Sequence, residues 1–263
     1  MTVEMYSAWF GILGLLIGSF LNVVIYRVPN GVSVSGRSHC PGCSNQIAVY
    51  DNIPVFSWVV LRGKCRNCKM RISARYPLIE GSTGVAFAVV AWNFLPNLPL
   101  TVTLLIFMSV SIALFMIDAD TLRLPDVIVI PTFFVLSAGF LVTAGVGDSM
   151  ADLLRGLVAA LALGAAYFTL WFITSGRGLG FGDVKLAPSL GLVLGFFGWG
   201  PVAIGTAAAW LLGAVVGVAG MALGKMGRGK PIPFGPFLIV GTWVGVFFGE
   251  QLSALYLKMF GLA

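Results

Sequence analysis

The chain is 263 residues long, and its composition excludes most classes of protein. Hydrophobic residues make up 58% of it and charged residues only 10%, whereas a soluble domain has about 25% charged residues. Its 34 glycines and 13 prolines follow no repeat, and its four cysteines are few, so a collagen-like chain and a disulfide-stapled secreted domain are excluded as well. The composition predicts an all-α polytopic membrane protein.

Eight apolar stretches are long enough, or nearly so, to cross the roughly 30 Å hydrocarbon core of a bilayer as helices. The sixth is short and is separated from the seventh by a tight turn at Gly198. We therefore predict about eight transmembrane helices, with a first helix at 1–28, a small cytoplasmic loop domain at 29–77 and a membrane-embedded core at 78–263. The predicted helices lie at about residues 6–28, 78–95, 100–117, 127–146, 153–174, 186–199, 202–223 and 234–257.

Small residues at helical spacing predict close contacts between some of these helices. Gly14 and Gly18 are four residues apart, and so are Gly241, Gly245 and Gly249. Such spacing allows two backbones to approach closely in a membrane. We expect these glycines to pack helices and to take no part in chemistry.

Charge predicts the orientation, because cytoplasmic loops of membrane proteins are enriched in Lys and Arg. The net charge is +6, and eight helices with both termini outside would place every Lys and Arg except Arg155 and Lys258 on the cytoplasmic face. Topology and contact with anionic lipid headgroups account for these basic residues. We therefore expect membrane lipid as a partner and no nucleic acid.

All four cysteines lie in the loop between the first two predicted helices, as two Cys-x-x-Cys pairs. Such pairs in one polar stretch are typical of a four-thiolate zinc site, which is structural because no ligand position stays open for a catalytic water. Two disulfides are the alternative, which a reducing cytoplasm disfavours, and His39 is an alternative ligand. We predict a structural Zn²⁺ held by Cys40, Cys43, Cys65 and Cys68.

Acidic residues are scarce, so their positions are informative. Asp118 and Asp120 end the third predicted helix, Asp126 precedes the fourth, and Asp183 follows a glycine-rich turn before the sixth. Ionisable groups at a membrane border indicate function. The alternative is that they cap helices or lie in water, and for Asp126 we expect a cap.

Two carboxylates from different helices could activate one water molecule. Close Asp groups cannot both ionise readily, so one keeps a proton while the other acts as the base. The glycines before Asp183 would permit an irregular backbone and the close approach of a substrate chain.

Six segments in this order resemble the bacterial type IV prepilin peptidases, a family of membrane-embedded GxGD aspartic proteases. Each segment alone is weakly specific, but together they span nearly the whole chain. They are residues 18–29 (GSFLNVVIYRVP), the two cysteine pairs, residues 75–80 (RYPLIE), residues 118–126 (DADTLRLPD), residues 180–186 (GFGDVKL) and residues 233–237 (PFGPF).

The resemblance implies an enzyme of the bacterial inner membrane with two activities. It would cut the basic leader peptide from type IV prepilins or type II secretion pseudopilins at the cytoplasmic face, after a glycine and usually before a phenylalanine. It would then methylate the new N-terminal amine with S-adenosylmethionine. The family's Gly-x-Gly-Asp motif makes Asp183 one catalytic residue, and the Asp-Ala-Asp pair supplies Asp118 as its partner, with Asp120 as the second choice.

The methyl-donor site is less defined by the sequence. No G-x-G-x-x-G segment follows a predicted strand, so a soluble nucleotide-binding fold is not expected. The site would lie among helix ends and the cysteine-bearing loop. Glu80 is the candidate for contacting the new amine, with Asn22, Arg27 and Arg75 nearby in the chain, and lipid-headgroup contact is the alternative role for these residues.

Two other classes of protein share some of these features. A transporter has glycine-interrupted helices and buried carboxylates, but it predicts acidic residues near mid-bilayer in related halves of the chain. Here the carboxylates cluster on one face and no internal repeat is visible. A zinc-stabilised assembly protein would leave Asp118 and Asp183 unexplained. The sequence does not indicate the oligomeric state.

Overall fold

A computed structural model describes residues 3–147, 149–223 and 232–261, and this part of the chain is helical apart from loops and two isolated β-bridges. Eight long helices coincide with the eight predicted stretches. Two shorter elements, a 3₁₀ turn at Val49–Asn52 and the helix α2, lie in the first loop. The helices are α1 (Val3–Arg27), α2 (Phe56–Val60), α3 (Arg75–Phe94), α4 (Leu98–Thr121), α5 (Asp126–Gly147), α6 (Met150–Ile173), α7 (Phe181–Phe197), α8 (Trp199–Ala222) and α9 (Gly235–Met259).

The all-helical polytopic fold is confirmed, but the count of about eight spans is too high. Six helices in the described part of the chain are long and apolar enough to cross a membrane, namely α1, α4, α5, α6, α8 and α9. The helix α7 has only 17 residues, and α3 carries Arg75 and Glu80 in its first two turns. The helix α7 is too short to be counted as a span, and polar residues lower the mean hydropathy of α3.

The chain forms two compact units, residues Met1–Ala113 and residues Leu114–Ala263. In the first unit, α1 packs along α3 in the antiparallel direction. A Cβ atom added at Gly14 would lie 2.7 Å from the carbonyl oxygen of Thr83, and one added at Gly18 would lie 2.7 Å from the Cα of Glu80. The predicted packing role of these two glycines is therefore confirmed.

In the second unit, the short helix α7 is the core. It contacts α5, α6, α8 and α9, and most of its residues are buried. Gly191 and Gly195 face Ala159 so closely that a Cβ atom on either would collide with it. The predicted turn before α8 is present at Gly198, whose φ of 143° is accessible mainly to glycine. The basic residues Lys225, Arg228 and Lys230 lie outside the described residues.

Candidate active site and metal centre

Asp118 lies in the last turn of α4 and is only 5% exposed. Its Oδ2 atom accepts a hydrogen bond of 3.0 Å from the backbone N–H of Gly235. Gly235 begins α9, so the carboxylate lies at a helix N-terminus, where unpaired N–H groups favour a negative charge. A Cβ atom at Gly235 would lie 2.8 Å from Oδ2, so any larger residue here would displace the carboxylate or the start of α9.

Asp183 is the third residue of α7 and is 6% exposed. It is not the N-cap, which is Gly180, but its carboxylate reaches back to the Gly180 backbone N–H, as in one half of a capping box. Its Oδ1 atom is buried without a hydrogen-bond partner. A buried polar atom left without a partner is uncommon in a folded protein and indicates a functional role.

The glycines of the Gly-Phe-Gly-Asp segment act through close contacts. Gly180 has an ordinary extended backbone with φ −69° and ψ 144°, and a Cβ atom there would lie 3.1 Å from Oδ2 of Asp183. A Cβ atom at Gly182 would lie 3.0 Å from the Cβ of Leu124. Neither glycine has a positive φ, although the chain leading to them, residues 174–180, is irregular, and both positions leave little room for a Cβ atom.

Leu124 connects the surroundings of the two carboxylates. This buried residue of the α4–α5 turn lies against Gly182 on one side and against Gly235 on the other, where a Cβ atom would be 3.4 Å from its Cδ2. The negative charge of Asp118 acts directly on Asp183. The starts of α7 and α9 and the α4–α5 turn thus bring Asp118 and Asp183 close enough for their charges to interact.

The remaining two aspartates of this region are more exposed. Asp120 lies on the exposed side of α4. Asp126 is the first residue of α5 and not the expected N-cap before it, and both its oxygens lie 2.7 Å from the Nζ atom of Lys185. The structure therefore distinguishes Asp118 from Asp120 by burial, and it shows an ion pair that sequence reasoning missed.

The four cysteines form one cluster in the first unit. All four Sγ atoms lie within 4.8 Å of one another, and none of the cysteines is in a disulfide. The Sγ atoms of Cys40 and Cys68, one from each pair, are 3.7 Å apart. Four sulfurs around a tetrahedral zinc ion at about 2.3 Å are separated by about 3.8 Å. The cluster therefore has the size of a tetrahedral metal site, and His39 is not part of it.

Each cysteine pair lies in a tight backbone turn of the same form. Cys40 N–H donates to the carbonyl oxygen of Asn45, and Cys65 N–H donates to that of Met70, at 2.9 and 2.8 Å. Backbone N–H groups of Cys68 and Asn67 lower the pKa of the Cys65 thiol to about 7. Donors of this kind stabilise a thiolate, which is the form that binds metal.

The four proposed methyl-donor residues lie in the first unit, but not in one open site. Asn22 donates to the carbonyl oxygen of Tyr76 at 3.2 Å, and Arg27 donates to carbonyl oxygens of the loop, including that of Ser35 at 2.8 Å. Glu80 is 9% exposed. Arg75 begins α3. The structure thus places Asn22 and Glu80 along the α1–α3 contact, while Arg27 holds the loop that follows α1.

The Glu80 carboxylate has neutral partners. Its Oε2 atom accepts the backbone N–H of Val55 at 2.7 Å, and the hydroxyl of Ser19 also donates to it. Val55 has φ 59° and ψ −49°, which is unfavourable for a β-branched residue and is found mainly where surrounding structure enforces it. Glu80 thus holds a strained turn of the loop, a role that no sequence pattern indicated.

Sequence reasoning also missed Tyr167. This buried residue of α6 is close enough to Asp183 to feel its charge, and its ring lies 6.1 Å from that of Trp210. An isolated tyrosine in an apolar helix gives no signal in the sequence. The Asp126–Lys185 pair could have been suspected, because each residue lies in the first two turns of its helix.

Two family models match this chain. Residues 12–94 match the family model described as the bacterial peptidase A24 N-terminal domain, and residues 105–218 match that of the type IV leader peptidase family. No solved structure matches the chain significantly.

Three curated relatives are each called prepilin leader peptidase/N-methyltransferase. The relative from Stutzerimonas stutzeri is 36% identical over 94% of this chain and 92% of its own length. That from Pseudomonas aeruginosa is 34% identical over 95% and 93%, and that from Neisseria gonorrhoeae is 35% identical over 89% and 87%. The resemblance inferred from the six segments is confirmed, and the chain belongs to the type IV leader peptidase family.

Proposed function

We propose that this chain cleaves the leader peptide from type IV prepilins or type II secretion pseudopilins and then N-methylates the new N-terminal residue. The names of its relatives support both activities. The observation that supports cleavage most directly is the pair of buried carboxylates, Asp118 and Asp183, on two helices of the second unit. Peptide hydrolysis requires a base and an acid around one water, and a carboxyl dyad supplies both.

The contacts of the two carboxylates suggest different roles. Asp118 accepts the Gly235 N–H at the start of α9, and such donors stabilise the ionised form. Asp183 also accepts a backbone N–H, that of Gly180, but its Oδ1 atom is buried without a partner. We assign the base to Asp118, which removes a proton from the attacking water, and the acid to Asp183, which gives a proton to the leaving amine. Asp120, on the exposed side of α4, is the second choice for the base.

For methyl transfer, Glu80 is the residue proposed to bind the new N-terminal ammonium group. Its partners are neutral N–H and O–H groups, so its negative charge remains available to a cation. S-adenosylmethionine supplies the methyl group when it is bound. Asn22, Arg27 and Arg75 are the other candidates for contact with the substrate or the methyl donor, since all three lie at the same ends of α1 and α3.

The metal proposed for the cysteine cluster is zinc, in a structural role. Four thiolates in a tetrahedral cluster select zinc over the harder divalent cations, and the 3.7 Å separation of two of the sulfurs fits this ion. Cys40, Cys43, Cys65 and Cys68 would occupy all four positions, so the ion would hold the loop together and would not activate water.

We further propose that the protein lies in the bacterial inner membrane, with both termini outside and the active site at the cytoplasmic face. The distribution of Lys and Arg supports this orientation when all eight long helices cross the membrane, including α3 and α7. Residues 1–28 would form the first span, residues 29–77 a cytoplasmic metal-binding domain and residues 78–263 the peptidase core.

One reconstitution experiment tests both activities. The purified chain in detergent is incubated with a prepilin peptide, with and without S-adenosylmethionine, and the products are measured by mass spectrometry. We expect the leader to be released in both reactions, and a product heavier by one methyl group only with the donor. An uncut peptide would contradict the peptidase assignment, and a cut but unmethylated product would contradict the methyltransferase assignment alone.

A further inference from the structure

The helix α2 in the first loop exposes its apolar residues and buries a polar one, whereas a helix packed for water does the opposite. Phe56, Val59 and Val60 are 62%, 59% and 57% exposed, and their spacing places all three on one face. The buried residue of the helix is a serine, Ser57. Its hydroxyl donates to the carbonyl oxygen of Tyr50 and accepts the N–H of Ile53. A helix packed for water would bury the apolar face and expose the serine.

The apolar face continues beyond the helix. In the turn before it, Val49, Tyr50 and Ile53 are also exposed, at 77%, 64% and 47%. Exposed apolar side chains concentrated in one short segment indicate a site of interaction with protein or membrane. We call these six residues the α2 face.

The anchoring of the loop keeps α2 close to one end of the α1–α3 pair. Contacts between α1 and α3 run in opposite directions along the two helices, so the loop begins and ends on the same side. The helix α1 is a candidate membrane span. The loop is therefore held at one membrane surface by both of its ends.

A single hydrogen bond fixes the depth of α2. The Val55 N–H at its start is 2.7 Å from the carboxylate of Glu80. Glu80 lies in the second turn of α3, about 7.5 Å along the helix from its first residue. The start of α2 thus lies beside α3, which packs along the candidate membrane span α1, and not out in the solvent.

The charge of the loop fits a lipid surface. Asp51 is its one acidic residue, and it is paired with Arg66 at 2.7 Å. Arg62 and Lys64, which follow α2 directly, are exposed. Basic residues beside an apolar helical face are the pattern of a helix that lies in the headgroup region of an anionic membrane.

We propose that the α2 face is a membrane-surface contact, in which Phe56, Val59 and Val60 insert among the lipid headgroups while neighbouring basic residues bind anionic lipid. The contact would hold the metal-bearing loop at the membrane in a defined orientation. It does not depend on the peptidase or methyltransferase activity, and it uses residues to which neither activity is assigned.

The test is photocrosslinking of the full chain in lipid nanodiscs of phosphatidylcholine and phosphatidylglycerol. A benzoylphenylalanine is introduced singly at Phe56 or Val59, at the exposed polar positions Gln46 and Asn67 of the same loop, and at Leu16 of α1, which is 56% exposed. Lipid adducts are measured by mass relative to those at Leu16. A single symmetric peak in size-exclusion chromatography and an unchanged helical circular dichroism spectrum show that each labelled protein is folded, and Val60 replaces Phe56 if that variant is not.

We expect roughly tenfold more lipid adduct at Phe56 and Val59 than at Gln46 and Asn67. Similar low yields at all four loop positions would overturn the proposal. So would crosslinks from Phe56 or Val59 to another part of the chain or to an added prepilin peptide, because the face would then be a protein-binding surface.

Discussion

Replacement of Gly235 by alanine should impair cleavage although it adds only one methyl group. The new Cβ atom would lie 2.8 Å from Oδ2 and 3.3 Å from Cγ of Asp118. Because a relaxed contact is longer, the carboxylate or the start of α9 must move by roughly 0.5 Å. The hydrogen bond from the Gly235 N–H would be distorted at the same time.

The size of the effect follows from the need for exact alignment of catalytic groups. A misplacement of about 1 Å can reduce a rate by about 100-fold, so we expect Gly235→Ala to lower kcat for leader cleavage by roughly 10- to 100-fold. The assay is cleavage of a prepilin peptide by purified variant protein, read by mass spectrometry. Transfer of a methyl group to a peptide that is already cut should be unaffected.

Gly145→Ala is the matched control in the same unit. No atom lies within 4 Å of a Cβ at this position of α5, and alanine in a helix interior is favoured over glycine by up to about 1 kcal/mol. This variant should cleave normally and be at least as stable as the parent chain. If Gly235→Ala cut within roughly threefold of the parent rate, less than 1 kcal/mol of barrier, the reasoning about the Asp118 contact would be refuted.

Three further predictions concern the dyad, the metal and the topology. Asp118→Asn and Asp183→Asn should each abolish leader cleavage and leave methylation of a cut peptide intact, whereas Asp120→Asn should retain cleavage. The opposite result for Asp118 and Asp120 would exchange their roles. Normal cleavage by Asp183→Asn would exclude the carboxylate dyad. Metal analysis of the reduced protein should find about one zinc per chain. The Cys65→Ser variant should lose the metal and destabilise the loop before it affects cleavage. A reporter fused after Ala263 should be active only outside the cytoplasm, and cytoplasmic activity would overturn the orientation.

The sequence alone determined the helices and the cysteine cluster, for local reasons. Each apolar run forms one helix, because a helix satisfies every backbone polar group within its own segment. The two cysteine pairs predicted a four-sulfur cluster because each short turn presents two sulfurs together. The contact of Gly14 and Gly18 with α3 could also be predicted, since a missing side chain leaves space whatever its partner is.

Tertiary structure alone decided which carboxylate is buried. Asp118 and Asp120 lie two residues apart at the end of one helix, so they point in nearly opposite directions from its axis. The start of α9, whose first residue is 117 positions further along the chain, meets the side of α4 that carries Asp118. No local pattern specifies which side of α4 will meet that helix end.

The roles of α7 and of its glycines were likewise outside the reach of sequence pattern. A run of 17 residues is short for a membrane span, and only packing against four neighbouring helices shows it to be the core of its unit. Gly182 is needed because Leu124 of a distant turn occupies the space of its missing side chain. Periodicity predicts which segments are helical, whereas contacts between distant residues determine which helix ends meet and therefore where the two carboxylates lie.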